Sequence, residues 1–307
     1  MAEITTALIR ELRERTGAGM MDCKKALGET SGDLEGATDW LRKKGLAAAA
    51  KKAGRQTSEG LVGLALDGTT GATVEVNSET DFVARNEGFQ ELVRRIAALA
   101  PQAKGDLEAL KAMRIPETGR TVEEEIAHAV GVIGENITLR RTASLTVEEG
   151  TIATYLHGQL SPGLGKIAVL MGLKSTGDRS RLGEIGRQLA MHVAATSPQA
   201  VTVDALDPAQ VERERAIYAD QARASGKAEN IIAKMVEGRV RKFYEEAVLL
   251  EQTYVVDTEK RVKQVVEAAA KEIGSPVEVA GFVRMAVGEG IEKRQSDFAA
   301  EVAELTS

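Results

Sequence analysis

From Gly60 onward the chain runs through one plan twice, and this repetition limits its fold more than any other feature. After Gly60 come an apolar run (Leu61–Leu66), an Asp67-Gly68 turn, a second run (Thr73–Asn77) and a helical pattern over 87–100. After Gly150 come a run from Ile152 to Leu156, a loop through Ser161-Pro-Gly163 and a run from Ile167 to Leu173. A helical pattern through Leu182, Ile185, Leu189 and Val193 follows. Each passage closes alike: Gly134-Glu-Asn leads into a strand over 137–147, and Gly274-Ser-Pro into one over 277–287. Two strands cannot bury themselves alone, so each passage predicts a small antiparallel sheet covered on one face by helices. The expected class is α+β, with related units at 56–149 and 150–287.

The second unit is longer because extra sequence lies between its helix and its last strand. Pro198 and Pro208 frame a turn, a helix runs through Val211, Arg215, Tyr218 and Ala222, and another returns through Ile231, Met235 and Val240. This predicts an inserted antiparallel helical hairpin over about 198–238. Its apolar stripe is thin and its charge density high, so the hairpin is expected to need a partner or a second copy to cover it. Before the repeats, residues 1–45 read as three short helices. Gly17 and Gly19 supply the turn between the first two, Asp33 caps the third, and Trp40 is the expected apolar anchor. Residues 46–55 then form a basic helical linker, continuing a run that includes Arg42, Lys43, Lys44, Lys51, Lys52 and Arg55. The run reads either as a solvated face or as a salt-sensitive contact for an acidic surface or RNA. A last helix is expected from Ser296, with Phe298, Val302 and Leu305 on one face, inside a terminal segment 288–307.

Several function classes are disfavoured. Forty basic against 46 acidic side chains give a net charge of -6, which argues against a general nucleic-acid binder. The single cysteine, Cys23, cannot form an internal disulfide, and no apolar run is long enough to span a bilayer. A cytoplasmic protein is expected. His128, His157 and His192 have no zinc-ligand spacing with Cys23, and no metal or cofactor is expected. Gly163-Leu-Gly165-Lys166 looks like the end of a phosphate loop. That loop would need glycine where Leu160 stands and Ser or Thr where Ile167 stands. No catalytic constellation emerges.

The segment Glu75-Val-Asn-Ser-Glu-Thr-Asp-Phe-Val-Ala-Arg85 begins as a strand and turns polar at Asn77. It sets Phe82 in the loop before a helix that Asn86 can cap and Pro101 should stop. Phe82 either plugs the local core or, with Asp81, forms a protruding tip that wedges into a partner. A second segment, Leu12-Arg-Glu-Arg-Thr-Gly-Ala-Gly-Met-Met-Asp-Cys-Lys-Lys-Ala-Leu27, sets two adjacent methionines beside a glycine turn. Both cannot easily face inward, though either alone could be core.

Together these two segments resemble the two sequence motifs of the bacterial translation elongation factor Ts family. Further matching stretches are Tyr155-Leu-His-Gly158, Ala190-Met-His-Val-Ala-Ala195, Met235-Val-Glu-Gly-Arg239 and Val287-Gly-Glu-Gly-Ile-Glu-Lys293. The resemblance covers essentially the whole chain. It implies an N-terminal ubiquitin-associated-type (UBA-like) three-helix module, two related α+β subdomains, a helical arm able to mediate a homodimer, and a C-terminal helix. It implies guanine-nucleotide exchange on elongation factor Tu, a GTPase, with loss of Mg²⁺ and phosphate contacts when Phe82 inserts. The implied contact residues are Thr80, Asp81, Phe82 and Val83 at the tip, and Arg13, Met20, Met21 and Lys24 in the three-helix segment. Ile133, Gly134, His157, Val255 and Val256 complete the set. Gly134 has a ready alternative as a helix C-cap, and Val255-Val256 as a short core strand. Two other readings are an adaptor that only tethers a partner through its three-helix module and an enzyme with a site hidden between the two α+β units.

Overall fold

In the computed structural model, which describes residues 4–224, 226 and 228–292, the chain opens with α1 (Thr6–Thr16), α2 (Met20–Glu29) and α3 (Leu34–Lys52). Thr5 caps α1 by accepting the Leu8 N–H, and Asp33 caps α3 by accepting those of Glu35 and Gly36. Leu12, Cys23, Ala26, Leu27 and Ala37 form the sealed centre of this bundle. Trp40 is a half-buried lid on that centre rather than its anchor. Its ring faces the ammonium groups of Lys25 and Lys44, 6.0 and 5.7 Å from its centroid. The basic linker expected at 46–55 is not a separate piece, because α3 continues to Lys52. Four consecutive alanines and the absence of proline make that continuation favourable.

Two antiparallel sheets follow. The first contains β1 (Glu59–Asp67) and β2 (Thr70–Ser78). Then come α4 (Glu87–Ala103), α5 (Leu107–Ala112), α6 (Val122–Ile133) and the sheet's third strand, β3 (Ile137–Thr146). The second contains β4 (Gly150–His157) and, after the two-residue β5 (Leu164–Gly165), β6 (Ile167–Lys174). Then follow α7 (Arg179–Thr196), α8 (Pro208–Arg223), α9 (Glu229–Ala247), α10 (Val262–Ile273) and β7 (Glu278–Ala286). The strand orders are β3-β2-β1-β5 and β4-β6-β7. One topology therefore occurs twice, down to its irregularities. Gly60 pairs with Asn77 and Gly150 with Lys174, and a bulge falls at Glu75/Val76 in one sheet and at the matching Gly172/Leu173 in the other.

Alternation along β1 and β2 explains the layering. Leu61, Ala72, Val74 and Val76 face α4, whose Phe89, Leu92, Val93 and Ile96 complete the core. Val62 points the other way and meets Ala168 and Met285 of the second sheet. The second sheet buries Val169, Met171 and Leu173 under Leu182, Leu189 and Val193 of α7. Both sheets are thus covered on both faces, one by helices and one by each other. This is why β2 is buried along almost its whole length, including Thr73, Glu75, Asn77 and Ser78. Asn77, where the segment becomes polar, lies within this strand as expected, and the strand runs one residue further to Ser78. β5 also crosses from the second half to extend the first sheet, pairing with Val62 and Gly63.

Two further expectations are corrected, and one is left untouched. α4 passes through Pro101 to Ala103, because a proline in the last turn forfeits only one backbone donor; Lys104 in the left-handed region (φ 50°) ends it. The α8–α9 arm covers much of its own stripe: Ala222, Ile232, Val236 and Val240 are buried within it. The helix expected from Ser296 to Leu305, with the rest of 293–307, lies outside the described residues. Among the described residues no helix is long and apolar enough to cross a membrane.

Candidate partner-binding surface

Phe82 stands between β2 and α4 on a short, unstrained turn (φ −61°, ψ −37°). Backbone bonds from Ala84 to Asp81, Arg85 to Phe82 and Asn86 to Val83 close the turn at 2.9–3.2 Å. The Asn86 side chain then accepts the Phe89 N–H at 3.1 Å and starts α4. The turn sorts its side chains. Val83 (6% exposed) and Ala84 (1%) face the core, while Asp81 is exposed and the Phe82 ring is 76% exposed. The aromatic that fills the core is Phe89, with no exposure. Of the two sequence readings of Phe82, the structure has the protruding tip. Val83 is turned inward as the anchor of that tip and offers no free surface to a partner.

The base of the tip is fastened to the loop after α6. Gly134 ends α6 in the left-handed region (φ 91°), so its C-cap role is real, and it also lies exposed beside half-buried Ile133. The following Glu135 accepts both the Thr80 N–H (2.9 Å) and the Thr80 hydroxyl (2.6 Å). In return Glu79 accepts the Asn136 N–H at 2.6 Å and Nη1 of Arg55 at 3.3 Å. Lys52 donates to the Gly134 carbonyl at 2.5 Å, and Asn136 Nδ2 to the Arg55 carbonyl at 2.8 Å. Several cations of the basic run are thus spent inside the chain. Lys44 pairs with Asp22, and Arg42 lies 3.9 Å from Asp39.

The three-helix segment meets the same face. The Gly17 turn lies against Val132 of α6: a side chain built on Gly17 would come within 3.9 Å of that valine. Next to it, Met20 is 51% and Met21 76% exposed, so both methionines point outward. Arg13, at the last turn of α1, and Lys24, on α2, are also exposed. A cavity of about 420 Å³ separates this turn from α4 and α6, lined by Gly17, Glu91, Arg95, Glu125, His128 and Val132 among others. The structure therefore holds the 79–83 loop against the loop after α6 and sets the Gly17 turn beside the end of α6. His157 ends β4, exposed, its Nδ1 3.5 Å from the Tyr155 hydroxyl. Val255 and Val256 (41% and 56% exposed) form a bend rather than a core strand, and the Val255 N–H donates to His192 Nδ1 at 3.2 Å. These three sit on the side of the second sheet.

Sequence reasoning did not find Glu79, Glu135, Asn136, Lys52 or Arg55, which hold the tip. Their partners lie tens of residues away, and no periodicity marks them. The other polar groups have structural roles. His192 is buried between Gln252 and the Val255 amide, and burial pushes the Cys23 thiol up.

Comparison with known proteins bears on this surface. Residues 79–289 match the family model described as Elongation factor TS. Elongation factor Ts of Rhodospirillum centenum is 61% identical over 305 residues, covering 99% of each chain. The Rhodospirillum rubrum protein of the same name is 60% identical over 304 residues, covering 99% of this chain and 98% of its own. That of Parvibaculum lavamentivorans is 56% identical over 303 residues, with the same coverage.

Proposed function

The chain belongs to the elongation factor Ts family, and from that premise we propose that it exchanges guanine nucleotide on elongation factor Tu through its Phe82 tip. It is a translation elongation factor and not a catalytic enzyme. Exchange of this kind needs no general acid or base. It needs tighter binding to the nucleotide-free GTPase than to the loaded one, and linkage then makes the factor weaken GDP as much as GDP weakens the factor. The contacts to be weakened are those of Mg²⁺ and the phosphate-cradling loop.

The observation that carries this reading is the ring of Phe82, 76% exposed on a loop fastened on both sides. Burying that exposed area in a partner is worth about 4 kcal/mol, enough to offset disturbed structure around a bound ion. Asp81 accompanies the ring as its polar neighbour. Arg13, Met20, Met21, Lys24, Ile133 and Gly134 add contacts around it, the methionines as adaptable apolar surface. His157, Val255 and Val256 form a separate contact from the second sheet.

In this reading α1–α3 are a UBA-like module, β1–β3 and β4–β7 are two α+β subdomains, and α8–α9 are an arm inserted in the second. The arm keeps Ile217 and Ile231 exposed, which supports its use between two copies of the chain. The protein works in the cytoplasm with its GTPase.

The test follows release of labelled GDP from elongation factor Tu in excess free nucleotide. The native chain accelerates release, and Phe82→Ala loses most of that acceleration while still melting like the native protein. A tethering adaptor would leave release unchanged in both forms, and that result rejects the exchange reading.

A further inference from the structure

We infer that Glu135 is a positioning residue for the tip, acting through Thr80 to aim Phe82; this deepens the exchange reading above and rests on it. The tip leaves β2 after Ser78 and must be held on a path of only four residues, Glu79 to Phe82. On the far side Val83 and Ala84 are buried and fix the chain. On the near side the hold is reciprocal. Glu135 accepts the backbone and hydroxyl protons of Thr80 at 2.9 and 2.6 Å, and Glu79 accepts the backbone proton of Asn136 at 2.6 Å. Each loop therefore gives one carboxylate and receives one through a backbone amide. Ser78 closes the inner corner by donating to the Thr80 carbonyl at 2.9 Å.

The choice of donors is informative. Lys52 and Arg55 approach the same loop, yet Lys52 is directed at the Gly134 carbonyl and Arg55 at Glu79. Glu135 instead spends both oxygens on one threonine. Hydrogen bonds to an ionised carboxylate are short and directional, and two from a single residue fix its orientation as well as its place. Thr80 is two residues before Phe82, so its rotation would carry the ring with it. Thr80 was expected to touch the partner; with both its donors occupied, its contribution comes through Phe82.

The experiment compares Glu135→Ala, Thr80→Val, Thr80→Ser and Phe82→Ala in the full chain. GDP release is measured against factor concentration, together with melting and amide hydrogen exchange of residues 79–86. Glu135→Ala is expected to lower the maximal exchange rate about tenfold with little change in the half-saturating concentration, the pattern of a misaimed group rather than a lost binding contact. Amide protection is lost in 79–86 only, and the melting temperature stays within about 2 °C. Thr80→Val, which loses one hydroxyl, falls about threefold, and Thr80→Ser regains most of that loss. The inference is overturned by protection lost with the maximal rate unchanged, or by a lower rate that comes with a higher half-saturating concentration and a lower melting temperature. If Phe82→Ala itself exchanges at the native rate, the tip reading fails and the inference with it. If Phe82→Ala is slow but Glu135→Ala is not, only the inference fails.

Discussion

Glu75 and Arg141 face each other across β2 and β3 at the bulge of the first sheet, with Nε of Arg141 2.5 Å from a carboxylate that has no solvent exposure. Arg140, Asn77 and the Gly288 N–H share the same carboxylate, at 3.1, 3.0 and 2.7 Å. Gly288 follows the last strand of the second sheet, and Arg141 also donates to the Ala286 carbonyl at 2.9 Å. One acidic side chain thus joins the two sheets. At the matching place in the second sheet stand Gly172 and Gly281, over which Leu145 and Val147 of the first half are packed.

Glu75→Ala should destabilise the chain by about 3–5 kcal/mol, since it removes the one buried acceptor shared by Arg140, Arg141, Asn77 and the Gly288 N–H. Burial pushes the Glu75 carboxyl up, but the Gly288 amide, Asn77 and Arg141 outweigh it and hold it below its ordinary value of 4.5. The unfolded chain therefore takes up this proton first as pH falls. The stability is present above about pH 4.5 and is lost as pH drops through the folded-state value. Urea denaturation between pH 6 and 3 should show a steeper acid loss in the native chain than in Glu75→Gln.

Phe82 and Phe89 lie seven positions apart and should behave oppositely. Phe89→Ala empties the centre of the first core and should cost about 3–5 kcal/mol. Phe82→Ala removes an exposed ring and should change stability by no more than about 0.5 kcal/mol, while abolishing most exchange. Parallel denaturation and GDP-release measurements check both halves.

His192 needs to be neutral. Its Nε2 lies 2.8 Å from Gln252 Oε1, and its Nδ1 accepts the Val255 N–H, so a second ring proton would have no acceptor. Burial holds its pKa below 6.5, against the opposing pull of Gln252; His128 is likewise held down by burial and by Arg120, against the pull of Glu125. A depressed histidine binds its proton more readily in the unfolded chain. Stability therefore falls as pH drops below about 6.5, by at most about 1.4 kcal/mol per pH unit for each histidine. Urea midpoints from pH 7.5 to 5.5 should fall in the native chain and fall less in His192→Gln.

Where α3 crosses α6, a side chain on Gly131 would stand 3.0 Å from the Gly45 Cα, which is backbone and cannot swing aside. Gly131→Ala should push the helices apart and cost about 1–3 kcal/mol, whereas an alanine at Gly238, with open space around it, should stabilise α9 slightly. Thermal melts of the two variants should shift in opposite directions.

Much of this was legible in the chain because it is local. Apolar alternation marked the strands, a spacing of three to four marked α4, α7 and the arm, and Asn86 and Asp33 capped the helices they precede. The place of Phe82 between strand and helix followed from the same signals. Its direction did not, because a turn with an apolar pair can present either member to the core. Only the folded chain shows Val83 and Phe89 already filling that space.

The sequence by itself determined the doubled plan, the arm, the three leading helices and the position of the tip, since each depends on neighbours a few residues apart. The tertiary structure alone decided that the sheets stack face to face, that Glu75 is sealed between them, that β5 crosses to the other sheet and that Glu135 grips Thr80. Those contacts join residues 55 or more positions apart. Nothing periodic marks such a pair, and its energy arises only when packing removes both groups from water.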